Sequence, residues 1–346
     1  MDYKELLKKL TETYAVSGHE KSIYDLLESE FEPISDEIKK DNYGNMIFRK
    51  KGTLSKYKIM LAAHMDEIGL MVKDIDEKGF IKFTTVGGVD QRTLPSQEVI
   101  VHGKKDLLGV IGSKPPHLLS SYDMEKSIKI DDMYVDVGLS KEELEDLVKI
   151  GDIITVKRNF KELLGDYVSG KALDDRAGIV VMAVCLLELK KLYHYHDVYA
   201  VATLQEEVGV RGATTSAYNL DPDIAIAIDV THGKARGVSL EIELDKGPAI
   251  GKGPNMHPAV YKGLVETAKT YNIKYQIEPL PGPSGTDAWA IQVSRKGVPT
   301  GLISIPLRYM HTSVETGNIK DIIDSGRLLA YYIANLPEEL EGELCY

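Results

Sequence analysis

Apolar and polar positions follow three textures along this chain. Residues 3–14 carry Leu6, Leu7, Leu10 and Tyr14 at helical spacing, which predicts an amphipathic helix. Ser17-Gly18-His19-Glu20 follows, a serine with a glutamate three positions on. That pattern predicts a capping box opening a second helix, with Ile23, Leu26, Leu27 and Phe31 on one face. Two strands are predicted around the turn Asn42-Tyr43-Gly44-Asn45. The unbroken run Ile59-Met60-Leu61-Ala62-Ala63 is that of a strand buried on both faces of a mostly parallel sheet.

From about residue 70 to 162 the texture is short runs of strand character: 70–75, 80–86, 98–101, 108–111, 133–137 and 152–156. Glu77-Lys78-Gly79 and Gly103-Lys104-Lys105 read as hairpin tips between them. One helix interrupts, starting at Ser140 with Glu143 as a capping box. From about 163 the pattern alternates. A helix runs from Arg176 to about Leu192. Strands are predicted at 197–204, 224–229, 274–279 and 300–305, and helices at 257–272, 285–292 and 318–335. Alternation of this kind predicts an α/β fold, a mostly parallel mixed sheet with helices on both faces. Residues 1–69 and 163–346 then form one α/β domain, and 70–162 is a small all-β barrel-like domain inserted in it.

Composition narrows the function classes. A hydrophobic share of 43% over 346 residues allows a sizeable core. A net charge of −11 argues against a nucleic-acid binder, which needs a basic face. Two cysteines, Cys185 and Cys345, do not make a disulfide framework and fit a reducing compartment. The charged N-terminus has no apolar signal core, and no stretch reaches the roughly 18 apolar residues of a membrane span. A cytoplasmic protein without membrane partners is expected.

Candidate chemistry lies at the ends of the apolar runs. His64 follows 59–63, Glu206 and Glu207 follow 197–204, Asp229 follows 224–228, and His311 follows 302–305 after a short loop. Asp174-Asp175 opens the helix at Arg176. In an open α/β sheet, ligands bind outside the carboxyl ends of the strands, so five segments deliver these side chains to one edge. Each has a plain structural reading on its own. His64 suits a sheet edge, Asp174 and Asp175 suit a helix cap, Asp229 suits a turn, and His311 suits a surface loop. Together, two histidines and several carboxylates are the ligand set of a two-metal hydrolytic site. Asp66, two residues past His64, is placed to accept the free imidazole N–H.

These residues carry a resemblance. Ala63-His64-Met65-Asp66-Glu67-Ile68-Gly69, Lys171-Ala172-Leu173-Asp174-Asp175-Arg176, Gln205-Glu206-Glu207-Val208-Gly209, Ala227-Ile228-Asp229-Val230-Thr231-His232, Gly285-Thr286-Asp287-Ala288 and Met310-His311-Thr312-Ser313 occur in the order seen in the tetrahedral (TET) aminopeptidases. The chain resembles that family of cocatalytic dinuclear metallopeptidases. The resemblance implies that Asp174 bridges two divalent ions, with zinc or cobalt best suited and manganese also compatible. His64 and Asp229 complete one shell, and Glu207 and His311 the other. Glu206 is then the general base and acid, Asp66 orients His64, and the peptide bond after Asp174 is cis. Segment 70–162 is then a dimerisation domain, dimers assemble into a tetrahedral dodecamer, and substrates are short peptides with a free N-terminus. Two rival readings remain at this point: a glycoside hydrolase built on a carboxylate pair, and a non-catalytic assembly shell. The glycosidase has no need of His64 and His311, and adjacent strand residues point to opposite faces. The shell has no need of a glutamate beyond a complete ligand set.

Overall fold

The structure is a computed structural model, and it describes residues 1–118, 126–238, 241–340 and 342. Cys345 therefore lies outside the described residues. The strands, in chain order, are β1 (Glu37–Lys40), β2 (Met46–Lys50), β3 (Lys58–His64), β4 (Gly69–Ile75), β5 (Ile81–Val86), β6 (Glu98–His102), β7 (Asp106–Ser113), β8 (Met133–Asp136), β9 (Ile153–Val156), β10 (Lys161–Glu162), β11 (Tyr167–Gly170), β12 (Asp197–Thr203), β13 (Ile224–His232), β14 (Ala249–Lys252), β15 (Gln276–Pro279), β16 (Thr300–Leu307) and β17 (Glu315–Asn318). Eight of them form one mixed sheet in the order β1-β2-β12-β3-β13-β16-β14-β15. Its centre, β12-β3-β13-β16, is parallel throughout.

The apolar run 59–63 explains the layers. Successive strand side chains point to opposite faces. Ile59, Leu61 and Ala63 join the larger core with helix Leu173–Leu189, while Met60 and Ala62 join a second core with Ala213, Ala217 and Ile291. Helix Leu173–Leu189 is buried on all sides from Leu173 to Leu186, and from Ala177 to Leu187 it carries no polar side chain on any face. It packs against helix Ile319–Ala334, helix Tyr3–Glu12, β3 and β13. Burying each such Ile or Leu contributes about 1.5–3 kcal/mol.

The runs read from 70 to 162 become β4 to β9, closed as a barrel in the order β4-β5-β8-β7-β6-β9. Leu70, Val72, Ile81, Phe83, Val99, Val101, Val135 and Ile154 fill it. Helix Lys141–Glu145 starts with the expected capping box at Ser140 and Glu143.

Three features depart from the sequence reading. The Ser17–Glu20 pattern is not a cap: a 3₁₀ turn begins at Glu20, its preceding residue His19 makes no side-chain cap, and the α-helix covers only Tyr24–Phe31. The Ser17 hydroxyl bonds elsewhere, because a buried carboxylate competes for it. Helix Arg211–Leu220 buries only Gly212, Ala213, Ser216 and Ala217, whose small side chains do not stand out as an apolar face in the sequence. In the small sheet β10-β11-β17, β11 pairs with β17 across 145 to 151 residues of chain, which local pattern does not report.

Candidate metal centre

His64 ends β3, level with Thr203 of β12 in the parallel register. Asp229 stands inside β13, which continues three residues past it rather than ending before it. Asp174 and Asp175 open helix Leu173–Leu189 in non-helical conformation, joined by a cis peptide bond. Asp175 accepts from the backbone N–H of His64 at 3.2 Å and of Gly178 at 3.0 Å. A Cβ on Gly178 would lie 2.4 Å from that carboxylate, so the helix needs glycine there.

These elements bring the named side chains together. The two oxygens of Asp174 are divided between two imidazoles. His64 Nε2 lies 3.1 Å from Oδ1, and His311 Nε2 lies 3.3 Å from Oδ2. His311 Nε2 is also 3.3 Å from Glu207 Oε1. On the other side, ligand atoms of His64, Asp175 and Asp229 lie within 4.8 Å of one another, as do those of His64, Asp174 and Glu207. Glu206 stands beside them. Its backbone N–H, like that of Glu207, donates to the Asp66 carboxylate, at 3.1 and 3.3 Å.

Asp66 holds more than His64. The His64 Nδ1 is 3.1 Å from the Asp66 main-chain carbonyl and 3.6 Å from its carboxylate. The carbonyl is thus the closer partner of the imidazole. The carboxylate, wholly buried, instead accepts from the Glu206 and Glu207 backbones and from the Ser17 hydroxyl at 2.5 Å.

Sequence pattern missed two contributors. Glu315, buried in β17, accepts from the backbone N–H of Asp174 at 3.1 Å and of His311 at 2.8 Å. It sits in a short Glu-Thr-Gly-Asn strand with no apolar run to mark it. The barrel side of the chain also reaches the site: the Gly88 carbonyl is 3.0 Å from His311 Nδ1, and a Cβ on Gly88 would meet that ring at 2.7 Å.

The electrostatics call for a cation. Each imidazole has Nδ1 on a carbonyl, which fixes the neutral tautomer and leaves Nε2 as an acceptor facing carboxylate oxygens. Acceptor against acceptor needs a proton or a metal ion between them. Burial and the neighbouring carboxylates raise the proton affinity of Asp175 and Asp229, and burial with the Asp174 charge raises that of Glu315. Burial would lower the His64 pKa, but the bond to Asp174 together with the charges of Asp66, Asp174 and Glu206 outweighs it and the net shift is well upward. Bonds to Asp174 and Glu207 push His311 up to about 11. Burial, and to a lesser degree the charges of Asp287, Glu207 and Asp174, push Glu206 up to about 8. Among the described residues, no hydrogen bond or ion pair to the carboxylates of Asp174, Asp175, Glu207, Asp229 or Glu315 comes from Lys or Arg. This donor set fits divalent cations, held by imidazole and carboxylate without thiolate.

A mixed α/β sheet that gathers two imidazoles and a group of carboxylates at the carboxyl edge of its parallel centre, with a small barrel inserted, is the build of a metal-dependent peptide hydrolase. The chain belongs to the M42 glutamyl aminopeptidase family, whose sequence profile matches residues 44–328. It is 40% identical to a lysyl aminopeptidase of Pyrococcus furiosus over 331 residues, 94% of each chain. An aminopeptidase structure from the archaeon Desulfurococcus kamchatkensis matches with a TM-score of 0.91 at 40% identity, covering 99% of this chain and 97% of that one. The TET1 peptidase of Pyrococcus horikoshii, whose structure is described as a dodecamer, matches at 0.86 and 34% identity, covering 97% and 100%.

Proposed function

We propose that this enzyme is a two-metal aminopeptidase that removes N-terminal residues from short peptides. The observation that carries this reading is the Asp174 carboxylate, shared between His64 on one side and His311 with Glu207 on the other. His64 and Asp229 would hold one ion, His311 and Glu207 the second, and Asp174 both. Zinc or cobalt suits the donors best, and manganese is compatible. When bound, such ions supply a water acidic enough to be deprotonated near neutral pH and polarise the scissile carbonyl.

The remaining steps belong to the chain. Glu206 takes the proton of the attacking water and returns it to the leaving amine. Burial and acidic neighbours hold the Glu206 carboxyl above the usual carboxylate range, so it binds a proton more readily than a surface glutamate. Asp66 fixes the backbone of Glu206 and Glu207, so base and ligand keep their relative position. The surrounding carboxylates favour a substrate that presents an α-ammonium group. An unblocked tripeptide is expected to be hydrolysed and its N-acetyl derivative to be left intact, with activity lost on metal chelation and recovered on adding zinc or cobalt back. Full activity in the chelator, or equal cleavage of the blocked peptide, refutes the reading.

Residues 1–69 and 163–346 are the catalytic domain in this proposal, and 70–162 pairs subunits. Leu108 and Val110 of β7 turn apolar side chains outward, 54% and 48% exposed. The relative from Pyrococcus horikoshii is described as a dodecamer and as able to assemble into a tetrahedron or a large octahedral shell. A closed tetrahedral shell with internal sites admits short peptides and excludes folded proteins. Light scattering should report a particle twelve times the 38.4 kDa chain mass. A monomer at micromolar concentration refutes this assembly. A cytoplasmic location fits the acidic composition, the buried free Cys185, and the fact that no helix among the described residues is long and apolar enough to cross a membrane.

A further inference from the structure

Ser17 belongs to a Ser-x-x-Glu pattern that did not become a helix cap. Its hydroxyl is buried and donates to Asp66 Oδ2 at 2.5 Å. The segment around it is laced to the loop after β3. Ser17 N–H donates to the Glu67 carbonyl at 3.2 Å, and Glu67 N–H to the Ala15 carbonyl at 3.0 Å. The Glu67 carboxylate accepts from Ala15 N–H at 3.0 Å and from Lys171 Nζ at 2.7 and 2.9 Å. Ser17 is thus held rigidly where it meets Asp66.

The other two donors to that carboxylate are the backbones of Glu206 and Glu207. Their loop needs a tether. Gln205 and Val210, at its two ends, both take left-handed conformations, with φ of 54° and 48°. Such values are uncommon for side chains of this kind and persist only where surroundings impose them. Without the Ser17 hydroxyl, Oδ2 keeps only the 3.3 Å bond from Glu207 while Oδ1 keeps the 3.1 Å bond from Glu206, so the carboxylate is held less firmly against rotation about its Cβ–Cγ bond.

We propose that Ser17 is a positioning residue of the active site. It locks the Asp66 carboxylate in the orientation that sets Glu206 and Glu207 relative to His64. The proposal rests on the metallopeptidase reading, and its test separates the two. Ser17→Ala, Asp66→Asn and the double variant are compared, with Co²⁺ affinity measured calorimetrically on chelator-stripped protein, and kcat and KM on an unblocked tripeptide. Asp66→Asn should weaken affinity or rate about 10–100-fold, and Ser17→Ala about 10-fold, the lower end for partners that orient ligands. KM should stay within about twofold, because the hydroxyl acts on the proton shuttle and not on substrate contacts. In the Asp66→Asn background the Ser17→Ala effect should vanish, since residues acting through one group are not additive. Ser17→Thr, which keeps the donor, should recover most of the loss. Should Ser17→Ala fail to fold, Ser17→Cys keeps the size with a weak donor and carries the same expectation. Affinity and kcat within twofold of wild type, or full multiplication of the two single effects, overturns the role of Ser17. Wild-type protein that binds Co²⁺ but cleaves no peptide overturns the peptidase reading, while the affinity cycle still decides for or against Ser17.

Discussion

Glu206→Gln is expected to retain its metal and its fold while kcat falls roughly 10²–10⁴-fold, the span for loss of a positioned general base. Glutamine keeps the size of the side chain and one carbonyl oxygen but cannot carry the proton. The Glu206 carboxylate forms no hydrogen bond or ion pair with His64 or His311, whereas that of its neighbour Glu207 lies 3.3 Å from His311 Nε2. The two adjacent carboxylates thus stand in different surroundings, and only Glu207 lies within ion-pair distance of an imidazole. Metal content by mass spectrometry and steady-state kinetics on an unblocked peptide decide the matter. A near-wild-type kcat removes Glu206 from the mechanism, and loss of metal makes it a ligand instead.

Asp174→Asn is expected to act earlier, on metal occupancy itself. The wild-type carboxylate presents one oxygen to each imidazole. The amide offers one oxygen and a nitrogen that carries hydrogens, so one side of the shared contact becomes a donor. Metal per chain should fall from two toward zero after dialysis, and activity should fall with it. The several kcal/mol that a bound cation supplies correspond to about 10³-fold or more in rate, at 1.36 kcal/mol per decade. Retention of two ions per chain by Asp174→Asn contradicts the shared-ligand role.

The two variants are expected to fail in distinguishable ways because the proposed mechanism separates holding from proton transfer. Imidazoles and carboxylates that face one another without a Lys or Arg between them form the holding part. Glu206, pushed up to about 8 by burial and acidic neighbours, would form the other. Asp66 and Ser17 connect them through the backbone of the 205–210 loop.

What the sequence determined by itself was whatever depends on local pattern. The five-residue apolar run before His64, the alternating strands of the barrel, and the all-apolar helix after Arg176 follow from burial with a period of 2 or 3.6, which a linear chain displays. The positions of His64, Asp174, Glu206, Glu207, Asp229 and His311 were legible for the same reason, since each stands in or beside such a run. The tertiary structure decided what depends on competition between distant partners. Ser17 reads as a helix cap until the buried Asp66 carboxylate, 49 residues away, takes its hydroxyl. Asp66 reads as the acceptor for His64 until its own carbonyl lies closer to the ring. Glu315 and the Gly88 carbonyl have no local signature, and they enter the site only because β17 and the barrel loop come to rest against His311. A hydrogen bond goes to the nearest unsatisfied partner in three dimensions, and that distance is set by folding rather than by spacing along the chain.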